Sequence, residues 1–238
     1  MKQSYLLLDA GGTLMFPNFR VMSDLARASG EDVGEECFRR AFGEFTAGME
    51  DRLFTGLQRS DWPQFVPWVL EKAGIPSTKV PKLAEALYDL DSGPGLWAYT
   101  YPWVHDALQK LLSQGYRLSV ISNADGRVER DLTSVGLRPW LERVYDSSVV
   151  GFEKPDPRLF HFALSELGLL PEQCLYVGDV YHIDVLGANR AGIGAIHLDP
   201  FGLYGSYAGH HIPSVSALPD FLQRSDLASE AFFPLRRA

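Results

Sequence analysis

Five short apolar runs punctuate the chain: Tyr5–Asp9, Arg117–Ser122, Arg143–Ser147, Cys174–Gly178 and Ala195–Leu198. None shows the polar–apolar alternation of a strand wetted on one face, so each reads as a strand buried on both sides. Helical spacing fills the gaps between them. Val104, Ala107, Leu108, Leu111 and Leu112 form one stripe, bounded by Pro102 and Gly115. Phe160, Ala163, Leu164 and Leu167 form another, with Asp156 placed to cap it and Pro157 as its first residue. Alternating strands and helices predict an α/β fold: a Rossmann-like parallel sheet of about five strands covered on both faces.

The alternation breaks between residues 16 and 95. That interval reads as helices separated by stop signals at Gly30, Gly48, Asp61-Trp62-Pro63, Gly74-Ile75-Pro76 and Ser92-Gly93-Pro94-Gly95, with no strand-like run. Trp62, Phe65 and Trp68 fall near helical spacing and are expected in its core. The predicted organisation is therefore a catalytic core of 1–15 and 96–225, an inserted helical cap domain of 16–95 over the strand ends, and a C-terminal tail of 226–238.

Composition narrows the function classes. Hydrophobic residues at 46% and charged residues at 22% are ordinary for a folded chain and argue against disorder. Thirty Asp and Glu against 22 Lys and Arg leave a net charge of -8, which disfavours nucleic acid as a partner but permits a small anion where a metal reverses the local field. Cys37 and Cys174 stand far apart without a CxxC spacing, so neither a disulfide scaffold nor a zinc knuckle is expected. The first apolar run is cut off by Asp9 and no stretch approaches the roughly 18 apolar residues of a membrane span. A cytoplasmic protein without a membrane partner is the expectation.

Ligands of open parallel sheets bind beyond the carboxyl ends of the strands. Asp9-Ala10-Gly11-Gly12-Thr13 follows the first run and Ser122-Asn123 the second. Gly151-Phe152-Glu153-Lys154-Pro155-Asp156 lies beyond the third, and Gly178-Asp179-Val180-Tyr181-His182-Ile183-Asp184 ends the fourth. Two carboxylates, a hydroxyl, a lysine and glycines thus meet on one edge, a set suited to phosphoryl transfer. An Asp carboxylate can attack phosphorus and split one displacement into two. Asp9 and Asp179 offer hard oxygen ligands for Mg²⁺. Ser122 can donate to a phosphoryl oxygen, and Lys154 can offset charge on nucleophile and transition state. Gly11 and Gly12 let the backbone approach closely.

These four segments, in this order, resemble the motifs of the haloacid dehalogenase-like hydrolase superfamily over about two-thirds of the chain, with the insert where that family places its type-1 helical cap. The resemblance implies a phosphatase acting on a small phosphorylated metabolite through an aspartyl-phosphate. Asp9 is then the catalytic nucleophile, with Ser122, Asn123 and Lys154 binding phosphate. Asp9, Asp179 and the Gly11 carbonyl would hold Mg²⁺, with Asp184 in contact or one layer out; Asp184 as a mere helix cap is the competing reading.

One position departs from that pattern. Phosphatases of the superfamily usually carry a second Asp, the general acid and base, two residues after the nucleophile; here Gly11 stands there. That assistance is typically worth roughly 10²–10⁴-fold. His182, Glu50 and Asp51 are candidates to replace it. Other functions stay open: a 2-haloacid dehalogenase using the same Asp, a phosphonate hydrolase drawing on Lys72, Lys79 or Lys82, and a non-catalytic or regulatory binding protein. His210-His211 has no partner at ligand spacing and reads as solvated loop.

Overall fold

The computed structural model describes residues 4–53, 65–91, 96–205 and 207–224. The Asp61-Trp62-Pro63 turn with Trp62, the Ser92–Gly95 stop signal and the 226–238 tail lie outside the described residues, as do the side chains of Glu50 and Asp51. The chain divides into two compact units, one of Met1–Met15 with Thr100–Ala238 and one of Phe16–Tyr99.

The first unit is a parallel sheet. Its strands are β1 (Tyr5–Leu8), β2 (Arg117–Ser122), β3 (Val144–Asp146), β4 (Cys174–Gly178), β5 (Gly194–Leu198) and β6 (His210–Ile212), ordered β3-β2-β1-β4-β5-β6. Every pairing is parallel. The central strands β1, β4 and β5 are buried at every position, which explains their unbroken apolar runs. Five of the strands match the apolar runs to within a residue or two. The sixth, β6, is a correction: His210 and His211 are not a solvated loop but pair with β5 at the sheet edge. Its sequence His-His-Ile offers no apolar run, so periodicity had nothing to detect.

Helices α5 (Pro102–Ser113), α6 (Val128–Ser134), α7 (Ser147–Val150), α8 (Pro157–Leu167) and α9 (Leu186–Arg190) lie between the strands, and α10 (Leu218–Phe221) follows β6. The start of α8 follows its sequence signals: the Asp156 side chain accepts from the Arg158 N–H, and Pro157 is its first residue. Gly168, at φ +64, ends it in the left-handed conformation that a side chain would oppose. The stripe Val104, Ala107, Leu108 and Leu111 is buried along α5.

The second unit is helical among the described residues, with α1 (Phe19–Ala28), α2 (Glu35–Leu53), α3 (Phe65–Lys72) and α4 (Val80–Asp91). Its two ends are tied by backbone bonds from Phe16 to Tyr99 and from Asn18 to Leu96. Edge-on aromatic contacts join Phe45 to Phe65 and to Trp68, and Phe42 to Trp97, across its core. Among the described residues no helix is long and apolar enough to cross a membrane.

Candidate active site

The site is assembled from strand ends. Asp9 follows β1 directly, and its N–H still donates to the Val177 carbonyl at 2.8 Å, so the sheet fixes its main chain. The chain then turns tightly: the Ala10 carbonyl accepts from both Leu14 and Met15, and Gly12 donates to the Met15 carbonyl. Gly12 sits at φ +75, and a Cβ there would lie 2.0 Å from Asp179 Oδ2. Gly178 makes the same kind of room for Asp184, whose Cγ and Oδ2 would lie 2.4 Å from a Cβ. Both glycines are therefore required by the carboxylates packed against them.

Lys154 is the hub. Its Nζ donates to Asp9 Oδ1 at 2.7 Å, to Asp184 Oδ1 at 2.7 Å and to Tyr176 Oη at 2.8 Å. An ammonium has three N–H groups, and all three are used. Lys154, Asp9, Asp184 and Asp179 are all buried. Asp184 additionally accepts from the Val180 N–H through Oδ2 at 2.9 Å, inside a π-helical turn spanning Tyr181–Val185. It is thus more than a helix cap: both its oxygens hold the site together.

Asn123 bonds to the main chain of Lys154. Its amide accepts from the Lys154 N–H at 2.7 Å and donates to the Lys154 carbonyl at 2.8 Å. Its side chain positions the lysine's backbone, a contact that spacing along the sequence cannot reveal. Ser122, the last residue of β2, is buried at the same strand edge. The loop after it is pinned by Asp146, which accepts from the Gly126 N–H, and by Ser147, which accepts from the Ala124 N–H. Tyr176 was missed by sequence reasoning; a tyrosine within an otherwise apolar buried strand was the available signal. Its hydroxyl donates to the Ile121 carbonyl at 2.9 Å while accepting from Lys154.

Charge does not balance here. Asp9, Asp179 and Asp184 each offer an oxygen within 4.8 Å of the others, against one ammonium. Burial pushes Asp9 up to about 6, with Lys154 opposing the shift and Asp184 adding to it. Burial, then the charges of Asp9 and Asp184, raise Asp179 well above the usual carboxylate range. Lys154 is raised as well: burial alone would lower it, but Asp184 and Asp9 outweigh that. Asp179 Oδ1 is buried and has no hydrogen-bond partner. A cluster short of positive charge, with an orphaned carboxylate oxygen, fits a hard divalent cation.

His182 sits in the π-helical turn, edge-on to Tyr181 and Tyr207. In the helical unit, Lys79 donates to Glu31 and to the Ser29 carbonyl, and Lys72 lies over the Trp68 ring at 5.2 Å. Both lysines thus have structural partners there.

The family described as haloacid dehalogenase-like hydrolase matches residues 5–192. Haloacid dehalogenase-like hydrolase domain-containing protein 3 of Homo sapiens is 33% identical over 81% of this chain and 82% of its own length. Its Bos taurus counterpart is 34% identical over 66% of this chain, which spans 65% of that relative. The glyceraldehyde 3-phosphate phosphatase of Methanothermobacter thermautotrophicus is 40% identical over a shorter stretch, 40% of this chain and 43% of its own. Among solved structures, the putative HAD-hydrolase YfnB of Bacillus subtilis, bound to magnesium, shares the fold with a TM-score of 0.63 at 18% identity, over 94% of this chain and all of that one.

Proposed function

The chain belongs to the haloacid dehalogenase-like hydrolases, and we propose that it is a Mg²⁺-dependent phosphatase of a small phosphorylated metabolite, working through an aspartyl-phosphate on Asp9. The observation that carries this reading is the Lys154 ammonium shared between Asp9 and Asp184 beside an Asp179 oxygen with no partner. Phosphatase names among the relatives support it. Asp9, Asp179 and the Gly11 carbonyl would hold the ion, with Asp184 contributing directly or through water. Once bound, it would neutralise the carboxylates and polarise the phosphoryl group.

The chain's own residues then account for the chemistry. Asp9 attacks phosphorus, the bond to the ester oxygen breaks, and the phosphoryl group passes to the carboxylate. Lys154 keeps Asp9 ionised and oriented, and Ser122 donates to a phosphoryl oxygen. Water then attacks phosphorus, returning Asp9 and releasing phosphate. Gly11 supplies no side chain to protonate the leaving oxygen or to take the proton of that water. Phosphates whose leaving groups need no acid are therefore the best substrates. A buried cluster of three carboxylates also disfavours a 2-haloacid, whose own carboxylate it would repel.

The direct assay compares p-nitrophenyl phosphate, acetyl phosphate, an alkyl phosphate and 2-chloropropionate, with and without Mg²⁺. Mg²⁺-dependent turnover of the first two, at least about tenfold faster than of the alkyl ester, is expected from the missing acid. Halide release without Mg²⁺, or no turnover of any phosphate, would overturn the proposal.

A further inference from the structure

Asp179 is held differently from its neighbours. Asp184 is gripped through both oxygens and Asp9 accepts from Lys154, whereas Asp179 Oδ1 has no partner. The position of that carboxylate therefore depends on its main chain. Pairing between β4 and β5 ends at Gly178 opposite His197, one residue short of Asp179. There a side chain takes over from the sheet: His197 Nε2 donates to the Asp179 carbonyl at 3.0 Å.

His197 is 1% exposed, and burial lowers it to about 4, so the ring is neutral. With its proton on Nε2, its Nδ1 is an acceptor. Facing it at 3.0 Å is Nδ1 of His211, the residue paired with His197 across β5 and β6. His211 supplies the proton for that bond, and its Nε2 lies 3.1 Å from the Tyr207 carbonyl. The same group braces the turn after Asp179: Tyr181 donates to the Ala208 carbonyl at 2.6 Å and lies parallel to the His211 ring. All of these anchors except Tyr181 lie beyond residue 192, where the family match ends.

Apolar side chains of similar volume would fill this space without polar atoms to satisfy. Two imidazoles in series, ending on one peptide carbonyl, imply that the carbonyl's position matters. We propose that His197 and His211 are positioning residues, a two-imidazole strut from β6 through β5 that holds the Asp179 peptide and thereby sets how tightly the acidic cluster binds a divalent cation. The inference rests on reading Asp179 as a metal ligand.

Four variants of the full chain test it. H197Q keeps a donor where Nε2 stood, and H197L removes it; H211N keeps a donor toward His197, and H211L removes it. Calorimetric titration of the metal-free protein with Mg²⁺ and Mn²⁺, without substrate, is read beside urea unfolding in EDTA. Outer partners of metal ligands are typically worth ~10–100-fold in affinity, so H197L is expected to bind about tenfold more weakly, H211L less weakened, and the two amide variants within about threefold of the wild type. A pure packing role predicts unchanged metal affinity in every folded variant. H197L that folds in EDTA yet binds like the wild type overturns the strut. If H197L does not fold, equal affinities of H211L and H211N overturn it instead. A wild type that binds neither ion refutes Asp179 as a ligand, a different result from equal binding by all variants.

Discussion

Lys154 gives away all three of its N–H bonds, two of them to carboxylates that would otherwise face each other in a buried space. Removing one partner from such a network leaves uncompensated charge, at a cost of about 3–5 kcal/mol. Lys154→Met should lose stability on that scale in urea at pH 7.5, and less at pH 5, where Asp9 and Asp179 can take up protons; a loss independent of pH would contradict the arrangement. The pH dependence of the metal-free wild type follows from the same groups. Asp9 is pushed up to about 6 in the folded chain from 3.8, so between about pH 4 and 6 the folded state binds more protons than the unfolded, and stability falls as pH rises. Asp179, raised further, adds to that fall. His197, lowered to about 4 from 6.5, binds fewer protons when folded and works against it over a similar window. Urea unfolding in EDTA should therefore show the fall flattened in Asp9→Asn, and Mg²⁺ should stabilise the wild type more at pH 7 than at pH 5.

At the scale of elements, strands were legible because burial on both faces leaves an unbroken apolar run, and α8 because Asp156 and Pro157 mark its start. β6 was not legible, since three residues with two histidines carry no such pattern. The site's ordered segments were legible as motifs, and the structure brings Asp9, Lys154, Asp179 and Asp184 within reach of one another. Their supports were not: Asn123 reaches Lys154 across 31 positions and Tyr176 meets it through the sheet, contacts that only the fold creates. Gly178 shows how closely element and site are fitted. A methyl there would meet Asp184 at 2.4 Å, so Gly178→Ala must displace the carboxylate that anchors Lys154. Overpacking of this kind costs about 1–3 kcal/mol. Thermal unfolding should show that loss, with phosphatase activity falling in parallel; an active, unshifted variant would show that the carboxylate needs no such room.

In the whole molecule, a parallel sheet carries a carboxylate cluster short of positive charge at its strand ends, and membership of a hydrolase family joins the two to the proposed reaction. The net charge of -8 sits uneasily with an anionic substrate until a cation occupies that cluster, which is why metal dependence and phosphoryl transfer stand together. Substrate choice belongs to side chains that no strand-end motif specifies. The central claim, that Asp9 carries the phosphoryl group, is open to direct chemical trapping. Enzyme turning over acetyl phosphate with Mg²⁺ is quenched in borohydride, which reduces an aspartyl-phosphate to homoserine, and the peptide containing residue 9 is read by mass spectrometry. Homoserine at position 9, absent without the phosphoryl donor and absent in Asp9→Asn, is the predicted result. Steady phosphate release with Asp9 unmodified, or undiminished turnover by Asp9→Asn, would contradict it.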